Sequence, residues 1–139
     1  PPPAPPPPPP GPRSREQTLV MIADDSKVVR VKTSRLLAKM GYRVVLAEDG
    51  QDALNQFGAE LPHLLITDVE MPGMDGFALT RHVRGDARTA TLPIIMITSA
   101  DDRLREAAAE AGVTVLMGKP YADDDLLAQI ERHAGVSPA

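Results

Sequence analysis

The chain has 139 residues and a formal net charge of −4, which gives no basic footprint for nucleic acid. It has no cysteine, so disulfides and thiolate metal sites are excluded. No apolar run approaches the roughly 20 residues that span a bilayer, and no signal peptide is visible, so we expect a cytoplasmic protein without membrane insertion.

The N-terminal segment is almost entirely proline. Residues 1–16 are predicted to form a Pro-rich, disordered linker, which favours polyproline II at about 3.1 Å per residue. A ligand for a Pro-binding domain is the alternative interpretation. The remaining sequence predicts one folded domain at residues 17–135 and a short tail at residues 136–139.

Apolar runs alternate with segments of helical periodicity along this domain. Ser26 is a plausible N-cap of the first helix and Gly41 a plausible C′ residue. The predicted strands are Thr18–Ala23, Tyr42–Ala47, the run from His63 to Asp68, Leu92–Ile97 and Val113–Met117. The predicted helices are Lys27–Met40, Gln51–Ala59, Phe77–Arg84, Asp102–Ala111 and Asp123–His133. Strict alternation predicts an α/β fold, with a parallel sheet covered by helices on both faces and right-handed crossovers.

The third predicted strand ends on a carboxylate, Asp68, and a Pro/Gly-rich loop follows at once. Ligands of parallel α/β sheets bind outside the carboxyl ends of the strands. Asp also often starts a turn. This stretch alone is therefore compatible with a functional carboxylate and with an ordinary turn residue.

Other strands end in reactive residue types at the same edge. Asp24 and Asp25 follow the first strand, Thr98 follows the fourth, and Lys119 follows the fifth. Carboxylates brought close together raise one another's pKa values unless a cation neutralises them, and oxygen ligands of this kind suit Mg²⁺. A metal, an ammonium and a hydroxyl around one aspartate indicate a clamp for a phosphoryl group, with Asp68 as the nucleophile.

Four sequence features together resemble the receiver domain of two-component response regulators. They are Asp24-Asp25, the run D-V-E-M-P-G-M-D-G-F from Asp68 to Phe77, Thr98, and Lys119-Pro120. The resemblance extends from about Thr18 to Ala134. It implies a flavodoxin-like, doubly wound sheet of five parallel strands in the order 2-1-3-4-5, with five helices.

The resemblance also implies a role for each site residue. Asp68 is the expected phosphoacceptor, and its donor is the phosphohistidine of a histidine kinase or phosphotransfer domain. Asp25 would bind Mg²⁺ directly, Asp24 largely through water, and Glu70 through its backbone carbonyl, with Asp68 as a further metal ligand. Thr98 and Lys119 would bind the phosphoryl oxygens. The peptide bond before Pro120 is cis in the family. A domain of this kind catalyses its own phosphorylation and dephosphorylation.

A narrower resemblance links the chain to the C-terminal receiver of chemotaxis-type hybrid histidine kinases. It rests on D-V-E-M-P-G-M-D-G-F, L-P-I-I-M-I-T-S and L-M-G-K-P-Y, and it implies that other domains of the same chain are partners. One position departs from the receiver pattern: the family commonly has Tyr or Phe where this chain has Leu116. The acceptor chemistry is expected to survive this change. The aromatic switch is in question, and a weakly coupled receiver would suit a phosphate sink.

Three alternatives remain. A degenerate receiver used only for protein contacts would fit Leu116 but not the intact acceptor set. A haloacid-dehalogenase-like phosphatase would need a second Asp at position 70, where the chain has Glu70. A nucleotide- or flavin-binding domain would need a Gly-rich turn after the first strand, and Asp24-Asp25-Ser26-Lys27 contains no glycine.

Overall fold

The computed structural model describes residues 14–98, 104–119 and 121–136. The five strands form one parallel sheet in the order β2-β1-β3-β4-β5, as predicted. The strands are β1 (Leu19–Ala23), β2 (Arg43–Ala47), β3 (Leu64–Asp68), β4 (Ile94–Thr98) and β5 (Val115–Gly118). The helices are α1 (Lys27–Lys39), α2 (Gly50–Phe57), α3 (Gly76–Gly85), α4 (Leu104–Ala111) and α5 (Asp123–Ala134). The fold class is therefore confirmed, while Pro120 lies outside the described residues.

The sheet has a hydrophobic core on each face because successive side chains of a strand point to opposite sides. In β1, Val20 and Ile22 pack in one core and Met21 in the other. The first core includes side chains of α1 and α5 (Leu37, Leu126 and Ile130), and the second includes side chains of α2 and α3 (Ala53, Leu79 and Val83). All residues of β1 and β4 are buried, which explains why these strands are continuous apolar runs in the sequence.

Polar side chains fix the helix starts near the carboxyl edge of the sheet. Ser26 Oγ accepts a hydrogen bond from the amide of Val29 at 3.4 Å, which confirms the predicted N-cap of α1. Asp75 Oδ1 accepts from the amide of Ala78 at 2.8 Å at the start of α3. At the end of α1, Gly41 has a φ of 97°, the left-handed conformation that favours glycine, as predicted for a C′ residue.

The domain includes residues that the sequence-based boundaries left in the linker and the tail. Arg15–Gln17 form a 3-10 helix that begins with a capping box at Ser14. Arg15 Nη2 lies 2.6 Å from Glu131 Oε1 of α5, and Val136 is buried. The contact of Arg15 with Glu131 joins residues that are remote in sequence, so local composition does not reveal it. Within the described ranges, no helix is long and apolar enough to cross a membrane.

Candidate functional site

Three carboxylates meet at the carboxyl edge of the sheet. β1 and β3 are neighbours in parallel register, with Ala23 opposite Thr67, so the chain continues side by side into Asp24 and Asp68. One carboxylate oxygen each of Asp24, Asp25 and Asp68 lies within 4.8 Å of the other two. We call this cluster the acidic site. It arises from the strand-end geometry that the sequence indicated.

Asp68 is held in a fixed orientation but remains accessible. Its Oδ1 accepts a hydrogen bond from the amide of Val69 at 2.8 Å, and its Oδ2 lies 3.9 Å from Lys119 Nζ. The Asp68 side chain is 15% exposed and that of Lys119 is 37% exposed. The carboxylate is therefore oriented beside a cation and still partly exposed to solvent.

The acidic site is electrostatically crowded. Burial raises the pKa of Asp68, and the charge of Asp25 raises it further, while Lys119 and the amides of Val69 and Glu70 lower it. Burial also raises the pKa of Asp24, helped by the charge of Asp68 and opposed by the amide of Ser26. Because burial disfavours the charged forms of Asp24 and Asp68, a bound cation would stabilise these carboxylates.

Pairing between β4 and β5 places Thr98 and Lys119. Thr98 ends β4 opposite Gly118, and its carbonyl accepts a hydrogen bond from the Lys119 amide at 2.6 Å. In the pairing of β3 with β4, Asp68 lies opposite Ile97, which directly precedes Thr98. Thr98 is buried, whereas Glu70 is exposed in the loop after β3. The predicted metal-binding and phosphoryl-binding residues within the described part of the chain thus lie at one edge of the sheet, whereas Leu116 lies within β5.

Gly76 shapes the loop that carries Glu70, a contribution that the sequence interpretation missed. Its amide donates to the Val69 carbonyl at 2.8 Å, and a Cβ at position 76 would overlap the carbonyl of Asp68. The first residue of α3 can therefore press against the end of β3 only as glycine. The Asp75-Gly76 dipeptide in the quoted motif was the available signal.

Arg30 was also missed. From α1, its Nη1 donates to the carbonyl of Asp24 at 2.5 Å and so fixes the main chain between the two acidic residues. Its sequence signal is weak, because basic residues are common on exposed helix faces. Only the turn from β1 into α1 brings this guanidinium back to the strand end.

Leu116 lies behind the acidic site, in a small apolar cluster. This cluster contains the buried residues Val69, Met96 and Ala108, with Phe77, Leu104, Val113 and Leu116 packed against them. A cavity of about 280 Å³ borders Leu116 and is lined by Arg105, Ala108, Ala109 and Val113. Because Arg105 and Ala109 are exposed, this cavity opens to solvent beside α4.

The response regulator receiver domain model matches residues 20–131, which covers most of the chain. The chain belongs to this family. Response regulator MprA of Mycobacterium tuberculosis is 37% identical over 112 residues, which are 80% of this chain and 48% of that protein. The chain thus spans about half the length of response regulator MprA.

Solved structures give the same result for the fold. A putative response regulator from Chloroflexus aurantiacus is 35% identical, with a TM-score of 0.81 and coverage of 84% of this chain and 97% of that chain. The receiver domain of the sensor histidine kinase PA1611 from Pseudomonas aeruginosa PAO1 is 27% identical, with a TM-score of 0.79 and coverage of 85% and 98%. That structure has a magnesium ion coordinated in its active site cleft.

The acidic site of this receiver domain has a donor set that fits Mg²⁺. Two ligands of one Mg²⁺, each about 2.1 Å from the ion, are at most about 4.2 Å apart. The three carboxylate oxygens lie within 4.8 Å of one another, so closure of the side chains onto the ion, or one ligand bound through water, would accommodate it. The raised pKa values of Asp24 and Asp68 indicate that a cation would be stabilising there.

Proposed function

We propose that this receiver domain accepts a phosphoryl group on Asp68 from the phosphohistidine of a histidine kinase or phosphotransfer domain. The observation that carries the proposal is the placement of Asp68 between two further carboxylates and the Lys119 ammonium. Asp68 combines a carboxylate oxygen held by the Val69 amide with partial exposure of its side chain, whereas Asp24 is buried.

Each residue has a chemical task in this transfer. A carboxylate oxygen of Asp68 attacks phosphorus, the P–N bond of the donor breaks, and the imidazole leaves with the electron pair. Lys119 neutralises negative charge on the phosphoryl oxygens, and the Thr98 hydroxyl would bind one of them. Asp24, Asp25 and the Glu70 carbonyl would hold Mg²⁺, which when bound neutralises charge on the transferring group.

The proposal is tested with acetyl phosphate and Mg²⁺. We expect one acid-stable, base-labile phosphoryl group per chain, measured by intact mass, because aspartyl phosphates are acyl phosphates. Asp68→Asn should abolish it, whereas Asp124→Asn, on the exposed first turn of α5, should leave it unchanged. Labelling that persists in Asp68→Asn would contradict the assignment, and no labelling of the wild type would favour a degenerate receiver.

We infer further that the domain is part of a hybrid histidine kinase. The support is the Pro-rich segment before the domain and the similarity to the receiver domain of the sensor kinase PA1611. The proposal predicts a histidine kinase domain on the same polypeptide, upstream of Pro1, and reading the encoding sequence there checks it. A DNA-binding domain on the same polypeptide would contradict it.

A further inference from the structure

The carbonyl of Asp24 lies at the carboxyl end of β1, between two of the proposed metal ligands. Asp24 is 4% exposed, and the paired residues of β1 and β3 end one position earlier, at Ala23 and Thr67. A carbonyl in such a buried residue costs free energy unless it accepts a hydrogen bond. Arg30 of α1 supplies this bond, because its Nη1 donates to the Asp24 carbonyl at 2.5 Å.

The start of α1 brings the Arg30 side chain back to this carbonyl. The Arg30 amide donates to the Ser26 carbonyl at 3.0 Å, which places Arg30 one turn into the helix. Side chains of an α-helix point toward its amino-terminal end, so a side chain at this position covers the turn that precedes the helix. A guanidinium donor is charged, and hydrogen bonds from charged donors are shorter and stronger than those between neutral groups. Arg30 therefore holds the Asp24 carbonyl by a strong and directional contact.

This contact fixes the peptide unit that joins Asp24 to Asp25. A peptide unit is planar, so the direction of its oxygen also sets the direction in which the chain continues to Asp25. The two carboxylates leave the main chain at the two ends of this unit, and both belong to the acidic site. The Asp24 side chain is also held by the Ser26 amide, which donates to its Oδ1 at 2.8 Å. Asp25 is exposed, so the placement of its carboxylate depends on the main chain.

We propose that Arg30 is a positioning residue of the acidic site, which holds Asp24 and Asp25 in the arrangement that binds Mg²⁺. Mg²⁺ demands near-ideal octahedral geometry, so a rotation of the peptide unit between the two aspartates would weaken its binding. The inference rests on the proposed function, in which the acidic site holds this ion. Arg30 acts through the Asp24 carbonyl and binds neither the metal nor the phosphoryl group.

The charge of Arg30 makes the direction of the effect diagnostic. A positive charge near the acidic site repels Mg²⁺, so its removal would tighten Mg²⁺ binding if charge alone mattered. Loss of the hydrogen bond should instead weaken Mg²⁺ binding. Arg35 is exposed on the same helix, so Arg35→Met removes one positive charge from α1 and leaves the Asp24 carbonyl bound. The two arginines therefore separate the effect of position from the effect of charge.

The test is a Mg²⁺ titration of the full chain at constant ionic strength, without a phosphodonor, followed by the amide resonances of Asp25 and Val69. Arg30→Met should raise the dissociation constant about tenfold, because groups that orient metal ligands typically contribute at least this much to metal affinity. Arg35→Met should stay within about twofold of the wild type, since salt screens an exposed charge. Arg30→Lys, which keeps the charge and one donor on a flexible stem, should lie between the wild type and Arg30→Met. An Arg30→Met protein that binds Mg²⁺ as tightly as Arg35→Met would overturn the proposal.

Acetyl phosphate labelling shows whether Arg30 acts on metal binding or on the transfer itself. In Arg30→Met, the labelling rate should fall at low Mg²⁺ and return to within about twofold of the wild type at saturating Mg²⁺. A rate that stays low at saturating Mg²⁺ would overturn the proposal. A lower free energy of unfolding in EDTA with unchanged Mg²⁺ affinity would overturn it as well, because the role of Arg30 would then be structural only.

Two further outcomes are distinguishable. If Arg30→Met does not fold, Arg30→Lys decides, and wild-type Mg²⁺ affinity in that variant overturns the proposal. A wild type that binds Mg²⁺ without being labelled contradicts the proposed phosphoacceptor and leaves the titration to decide on Arg30. A wild type that does not bind Mg²⁺ overturns the proposed metal site and the role of Arg30 together.

Discussion

At the scale of single residues, the acidic site brings together carboxylates whose charged forms are disfavoured. Burial raises the pKa of Asp68 above its ordinary 3.8, although Lys119 opposes this effect, so the native state binds more protons than the unfolded state in the window above that value. The stability contributed by the proton is fully present below pH 3.8 and is lost as pH rises through the raised pKa.

Removing the charge of Asp68 should therefore stabilise the metal-free domain. Asp68→Asn is expected to raise the free energy of unfolding at pH 7 on the order of 1 kcal/mol, and to reduce the loss of stability with rising pH. Urea unfolding of both proteins in EDTA, across the acidic range and at pH 7, measures this. Added Mg²⁺ should stabilise the wild type more than the variant. Equal pH dependence in the two proteins would contradict the prediction.

Gly76 gives a second prediction at this scale. Gly76→Ala places a Cβ against the Asp68 carbonyl, so we expect a loss of about 1–3 kcal/mol in the free energy of unfolding. Mg²⁺ affinity should fall as well, because the loop that carries Glu70 must shift. Gly85→Ala, at the other end of the same helix, meets nothing within 4 Å and is the control, expected within about 0.5 kcal/mol of the wild type. Both are measured by urea unfolding and Mg²⁺ titration.

At the scale of elements, the pattern of apolar residues was sufficient to predict the five strands and the five α-helices, but not the 3-10 helix at Arg15–Gln17. The ends were less predictable: β5 was expected at Val113–Met117 but begins at Val115. Thr114 explains this difference, because its amide donates to the Ile94 carbonyl and its hydroxyl accepts from the Ile94 amide before the regular ladder starts. Such a side-chain contact depends on a neighbouring strand and leaves no periodic signal.

The next prediction concerns Leu116 of β5 and its packing against α4. Leu116→Tyr adds an aromatic ring beside the cavity of about 280 Å³, so it should alter the packing of α4. We expect the rate of acetyl phosphate labelling to change less than about threefold, under roughly 1 kcal/mol in the barrier, because Leu116 does not line the acidic site. The chemical-shift changes of α4 amides on adding Mg²⁺ and beryllofluoride should differ clearly from those of the wild type.

Val28→Tyr, on the exposed face of α1, is the control for this experiment. It should leave the response of α4 unchanged. If Leu116→Tyr and Val28→Tyr give the same response of α4, the leucine does not limit coupling between the acidic site and this helix.

At the scale of the whole molecule, the acidic site could be predicted from the sequence because the carboxyl ends of parallel strands lie at the same edge of the sheet. Asp24, Asp25 and Asp68 meet through that rule alone, without knowledge of any side-chain contact. The hydrogen bond from Arg84 to Gly112 could not be predicted, since the two residues are 28 positions apart and meet only once α3 and α4 are packed. At the N-terminal boundary of the domain, the contact of Arg15 with Glu131 could not be predicted either, as these residues are separated by 116 positions.

The last prediction concerns that boundary. Described contacts begin at Ser14, whose carbonyl accepts from the buried Thr18 hydroxyl at 2.8 Å, and Arg15 reaches Glu131 of α5. The polyproline composition of the first residues offers almost no amide donors for pairing with the domain. Deleting residues 1–13 should therefore leave the melting temperature within about 1 °C of the full chain, whereas deleting residues 1–17 should lower it by a few degrees.

Circular dichroism melts of the full chain and the two truncations make the comparison. Glu131→Gln in the chain that lacks residues 1–13 separates the ion pair from the other contacts of the 3-10 helix. It removes the charge that faces Arg15 and keeps the side-chain size. If the 3-10 helix belongs to the domain, this variant should melt between the two truncations. Equal melting temperatures of the full chain and the two truncations would place Ser14–Gln17 outside the cooperative unit. A large fall in the melting temperature on deleting residues 1–13 would show that the Pro-rich segment contributes to the folded domain.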